Sequence, residues 1–126
     1  MSHKIIGEGK FLRLVKKGHY EFAERTRVNG VVVIVPETTK GELLFIEQFR
    51  PPVDAMCIEF PAGLSGDLVE ASDEELIEAA KRELMEETGY EAKEWKVLGS
   101  AAPSGGLTSE VHTFFHAKGM KKTGTG

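Results

Sequence analysis

The chain has 126 residues, 40% hydrophobic and 29% charged, a length and balance suited to one globular domain with a real core. A formal net charge of −4 argues against nucleic acid as a partner, and no apolar run reaches the roughly 18 residues of a membrane span. Cys57 is the single cysteine, which excludes an intrachain disulfide, and without a signal-peptide pattern the expected location is cytoplasmic.

The first third reads as strands. Lys10 to Lys16 alternates apolar and polar residues, Gly18-His19 marks a turn, and Tyr20 to Arg25 resumes the alternation. Val31-Val32-Val33-Ile34-Val35 is a continuous β-branched run, expected of a strand covered on both faces. Thr38 to Gly41 is a loop, and Glu42 to Arg50 is the next strand, ended by Pro51-Pro52 because proline cannot donate to a ladder. A polar loop after Glu59-Phe60-Pro61-Ala62-Gly63 leads to one long helix. Ser72 is its expected N-cap, with Glu75 at N3, and Gly89 is the expected left-handed stop. Trp95 to Leu98 and Val111 to Phe115 are further strand candidates. The lysine- and glycine-rich stretch 118–126 is expected to be a mobile tail. Strands on both sides of a single helix point to an α+β fold.

On a helical wheel, at about 100° per residue, Glu83, Glu86 and Glu87 share one arc of about 100°. Ile77, Ala80 and Leu84 form a neighbouring apolar stripe, while Glu78, Lys81 and Met85 face away, towards solvent. Like charges at i,i+3 and i,i+4 repel, so a purely structural helix gains from interleaved lysine here. A hard divalent cation reverses that argument, since Mg²⁺ takes oxygen ligands and commonly uses carboxylates together with substrate phosphate.

Arg82-Glu83-Leu84-Met85-Glu86-Glu87-Thr88-Gly89-Tyr90, with Glu74 ahead of it, resembles the Nudix hydrolase signature, Gly-x5-Glu-x7-Arg-Glu-U-x-Glu-Glu-x-Gly-U with U a bulky apolar residue. Glu47-Gln48-Phe49-Arg50-Pro51-Pro52-Val53 and Glu59-Phe60-Pro61-Ala62-Gly63 resemble the segments that precede this box in ADP-ribose and nucleoside diphosphate sugar pyrophosphatases. One departure stands out: Leu68 holds the place of the first glycine, as though the loop Ser65 to Ala71 carried an insertion. Loop insertions are thermodynamically mild, so this one bears on the pocket mouth and the substrate more than on the helix.

The resemblance implies a Nudix-type α/β/α sandwich with a mixed sheet over the single domain 1–126. N-terminal antiparallel strands (1–25) would form a homodimer, and the last strand and helix of the fold would be missing after the tail. It also implies hydrolysis of a nucleotide sugar, such as ADP-ribose or GDP-mannose, at its pyrophosphate. Glu83 and Glu87 are then metal ligands, Glu86 a ligand directly or through water, and the Ala62 carbonyl a further one, for about two or three Mg²⁺ or Mn²⁺ ions. Glu83, Glu86 and Glu110 are the candidate catalytic carboxylates, Glu110 because Pro103 to Glu110 resembles a late site loop. Arg50, Arg27 and Glu59 are the candidate substrate contacts, Arg50 because its planar fork suits a diphosphate. Arg82 is expected to orient a glutamate, and Glu74 to serve the helix start. His112 and His116, at i,i+4 on a strand, are expected to be satisfied by local partners. The competing readings are a nucleoside triphosphate pyrophosphohydrolase and a non-catalytic nucleotide-sugar-binding module.

Overall fold

A computed structural model describes residues 3–28, 30–65 and 73–126. The N-terminal strands β1 (His3–Glu8), β2 (Leu12–Lys17) and β3 (Tyr20–Arg25) form an antiparallel sheet in that order. Gly18, at φ 63°, makes the β2–β3 turn. The outer edge of β3 is taken by a loop from the far end of the chain. Ala23 donates to Leu107 at 2.8 Å and accepts from Ser109 at 3.1 Å.

The main sheet is mixed. β4 (Val31–Pro36) lies between β7 (Ala62–Leu64), antiparallel, and β9 (His112–Lys122), parallel, with β8 (Tyr90–Ala101) antiparallel on the far side of β9. The β-branched run of β4 is the most buried strand, with Val32 and Ile34 fully buried. Helix α1 (Asp73–Thr88) packs across this sheet, setting Ala79, Ala80 and Leu84 against Val32, Ile34, Phe115, Ala117 and Met120. Ile77 joins the same core from its margin. Gly89, at φ 77°, ends the helix with its amide bonded to the Met85 carbonyl at 2.8 Å. The Ser72 cap, Asn29, the loop 66–71 and the side chain of Glu74 lie outside the described residues. The fold is α+β, with a single α-helix among the described residues, none long and apolar enough to cross a membrane.

Three expectations are corrected. Residues 118–122 continue β9 rather than forming a mobile tail. Two of their lysines face opposite charges across the ladder, Lys118 opposite Glu94 and Lys121 opposite Glu91, while Met120 enters the core at 8% exposure. Beyond them, Thr123 and Gly124 donate to the Gly89 carbonyl at 2.8 and 2.9 Å. Met85 is half-buried rather than solvent-facing, because this returning segment covers it: Thr123 donates to its Sδ at 3.7 Å. The strand expected over Glu42 to Arg50 begins at Ile46, as β5 (Ile46–Arg50), and pairs with β6 (Ala55–Glu59) in a separate hairpin. A 3₁₀ turn, Pro51–Val53, joins the two.

Candidate active site

The glutamates of α1 meet the sheet at β7. Gly63 sits opposite Val32 in the ladder and passes so close to the helix that a methyl group there would overlap the Glu83 carboxyl. The bare backbone is thus what lets Glu83 lie against the sheet, with its side chain 15% exposed. Glu87, one turn on, receives a backbone hydrogen bond from Ala62 and shares a side-chain hydrogen bond with Glu83. Its Oε2 is buried with no protein partner.

Two carboxylates in one half-buried niche cannot both ionise freely. Burial raises the Glu87 pKa to about 7, with the Glu83 charge adding to it, and burial likewise raises that of Glu83. Arg82 works the other way on Glu83, its Nη1 lying 3.5 Å from Oε1. Arg82 also spans to Glu86 at 4.0 Å and to the Leu64 carbonyl at 3.4 Å. Glu86 itself points outward, its side chain 58% exposed. The structure therefore brings Glu83, Glu87 and the Ala62 backbone together and leaves Glu86 at the rim. Among the described residues no three His, Cys, Asp or Glu side chains close into a metal cage. The niche still suits a hard divalent cation. It offers anionic oxygens, one of them orphaned and buried, the ligand type that Mg²⁺ takes together with waters and phosphates.

A pH dependence follows. Without metal, the folded chain holds a proton on this pair that the unfolded chain releases near the ordinary value of 4.5. Between pH 4.5 and about 7 the native state therefore binds more protons, and stability falls as pH rises through that window. A cation replaces that proton. Excess Mg²⁺ is expected to raise the melting temperature more at pH 8 than at pH 5.5. An equal or reversed shift in a fluorimetric melt would count against this niche as the metal site.

The β5–β6 hairpin supplies the second group. Arg50 donates through Nε and Nη2 to both oxygens of Glu59, at 2.8 to 3.2 Å, and Gln48 donates to Glu59 Oε1 at 2.8 Å. Arg50 holds the Glu59 carboxyl below its usual range, and Glu59 raises the Arg50 pKa. The charges of Glu87 and Arg50 also act on one another, each as the smallest of the influences on the other's pKa.

The remaining candidates are spread more widely. Arg27 is exposed on a cavity of about 540 Å³ that it lines with Phe11, Leu12, Val28 and Leu64. Glu110 meets Arg25 Nε at 2.5 Å and His112 Nε2 at 3.2 Å, rather than the helix glutamates. Burial pushes Glu110 up, but these two partners outweigh it and hold its pKa below the ordinary carboxylate value. His112 and His116 each find a carboxylate, Glu110 and Glu37 at 3.1 Å. Gln48 and Arg25 were not anticipated. The signal for Gln48 was its i,i+2 spacing from Arg50, which puts both on one strand face; Arg25 carried none.

Residues 26–124 match the family model described as NUDIX domain. The chain belongs to the Nudix family. Nudix hydrolases generally depend on divalent metal. This Nudix chain is 35% identical over 99 residues to a methanol dehydrogenase activator of Bacillus methanolicus, covering 79% of this chain and 51% of that protein. It is 36% identical over 86 residues to an ADP-ribose pyrophosphatase of Bacillus subtilis (strain 168), covering 68% and 44% respectively. The chain thus spans about half the length of the curated relatives it matches. A crystal structure of an ADP compounds hydrolase superposes with a TM-score of 0.74 at 19% identity, over 100% of this chain and 70% of that one, a likeness of fold.

Proposed function

We propose that this Nudix chain hydrolyses a nucleoside diphosphate sugar at its pyrophosphate, releasing a nucleoside monophosphate and a sugar phosphate. What supports this reading is the Glu83–Glu87 pair, with its buried and unpartnered Glu87 Oε2, together with the planar guanidinium of Arg50, whose charge interacts weakly with that of Glu87. A diphosphate needs both, an arginine fork for its non-bridging oxygens and a cation site for the remaining charge. Glu83, Glu87 and the Ala62 backbone carbonyl are the groups that would hold Mg²⁺ or Mn²⁺, about two or three ions. Such ions, when bound, supply Lewis-acid polarisation of phosphoryl oxygens and lower the pKa of water.

The chain's own residues then divide the work. Arg50 binds the diphosphate, and Arg27 and Glu59 contact the rest of the substrate. Water adds to one phosphorus as the bridging P–O bond breaks, and Glu86, open to solvent at the rim, takes the proton. Glu110, held by Arg25 and His112, fixes the late loop and is the second candidate for that proton. Arg82 ties Glu83 and Glu86 to β7 through the Leu64 carbonyl.

The test is a substrate panel. ADP-ribose, GDP-mannose and a set of nucleoside triphosphates would be assayed with Mg²⁺ and with Mn²⁺. Monophosphate release from a diphosphate sugar is the expected outcome, and turnover of triphosphates alone would overturn the reading.

We also propose that the N-terminal sheet forms a homodimer. Ile5, Phe11, Leu12, Leu14 and Tyr20 are exposed there, Phe11 at 70% and Tyr20 at 65%, apolar side chains that a second copy would cover. Light scattering at micromolar concentration should give twice the chain mass; a monomer would refute it.

A further inference from the structure

The Arg50–Glu59 contact has a geometry that bears on how a diphosphate is received. A guanidinium carries five N–H groups in one plane. Glu59 engages Nε and Nη2, which is one edge of that plane. The Nη1–Nη2 edge stays free of protein partners among the described residues, and a second edge of this kind accepts a phosphate in a fork-to-fork contact. The carboxylate thus leaves Arg50 able to bind an anion and fixes the direction in which it does so.

Glu59 needs its own support for this. It comes from β6, at the far end of the hairpin from Arg50, where it pairs with Ile46 while Arg50 pairs with Ala55. The contact therefore runs diagonally across one face. Gln48 lies between them on that face and donates to Glu59 Oε1 at 2.8 Å. Without that amide the carboxylate keeps only the arginine as a side-chain partner, on a hairpin two strands wide. An exposed ion pair on such a scaffold is worth about 0 to 1 kcal/mol and does not hold one geometry by itself.

We propose that Gln48 is a positioning residue: through Glu59 it sets the orientation of the Arg50 guanidinium towards a diphosphate. This rests on the reading of Arg50 as the diphosphate contact. The hairpin carries three side chains in series, Gln48 to Glu59 to Arg50, and only the last meets the diphosphate, at its free edge. Loss of Gln48 lowers the fraction of arginine facing the ligand and leaves its charge intact. The effect falls on ligand binding and KM rather than on kcat.

Calorimetric titration of the full chain with ADP-ribose in metal-free buffer tests this apart from turnover, with AMP as the monophosphate control. Gln48→Leu is expected to weaken ADP-ribose about three- to tenfold and AMP much less, and to add nothing in a Glu59→Gln background. Arg50→Lys is expected to weaken ADP-ribose more than Gln48→Leu does. If Arg50→Lys weakens ADP-ribose while Gln48→Leu leaves it unchanged, the positioning role is overturned and the reading of Arg50 stands. If Arg50→Lys has no effect, the reading of Arg50 as the diphosphate contact is overturned, and the positioning role with it. Equal losses for ADP-ribose and AMP, with a lowered melting temperature, would reduce Gln48 to a structural part of the hairpin.

Discussion

Glu87→Gln is expected to cut metal-dependent monophosphate release by about a hundredfold or more. A bound cation contributes several kcal/mol of transition-state charge stabilisation, and each 1.36 kcal/mol is a factor of ten. The substitution keeps the shape of the side chain and removes the charge that faces the cation. Glu83→Gln should behave alike, and the double variant should lose little more than either single one, because the two carboxylates act as one site. In metal-free buffer the expected sign reverses. Both variants should melt at or above the wild-type temperature at pH 8, since each relieves a crowded pair of negative charges. Unchanged turnover in both single variants would end the mechanism proposed here.

Gly63→Ala is the second large effect, and it acts from the opposite wall. The new methyl falls on the Glu83 carboxyl, so either Glu83 swings out of the niche or β7 backs away from Val32. Overpacking of this kind costs about 1 to 3 kcal/mol, and the displaced ligand should reduce turnover alongside. The two consequences separate in a double variant. Glu83→Asp shortens the side chain by one methylene, so Gly63→Ala should destabilise that background less than it does the parent. Strict additivity in chemical melts would show that the methyl is accommodated without touching Glu83.

The helix was legible because its signals agree. Apolar spacing through Ala80 and Leu84, glycine at the stop, and carboxylates on one arc all pointed to the same element. How far the carboxylates would be drawn in was not legible. A wheel places Glu86 and Glu87 on either flank of Glu83, with Ala80 and Leu84 on the Glu87 side, and does not say how closely the sheet approaches Glu83. That depends on β7, three residues long and following a proline, with no alternation to reveal it. β6 escaped for a related reason: Ala55-Met56-Cys57-Ile58-Glu59 shows no clean period on a hairpin open to solvent. The end of the chain misled in the opposite direction. Lysine and glycine read as disorder in one dimension, yet Lys118 and Lys121 find Glu94 and Glu91 only once β8 is laid beside them. The resemblance to Nudix proteins correctly gave the family, which rests on the box and its flanking segments. The Gln48–Glu59–Arg50 chain had to wait for the hairpin's diagonal.

The bond between β3 and the late loop has a consequence for the way the chain is made. Arg25 and Glu110 stand 85 positions apart, and Ala23 finds its partners only at Leu107 and Ser109. On a ribosome, the first three strands emerge early and pair locally, but the outer edge of β3 stays open until the loop from Leu107 to Glu110 has been synthesised. Contacts of such separation form slowly, and an open strand edge is a template for pairing with other chains. The interval between the emergence of Arg25 and that of Glu110 is a period in which this edge is open to misassembly.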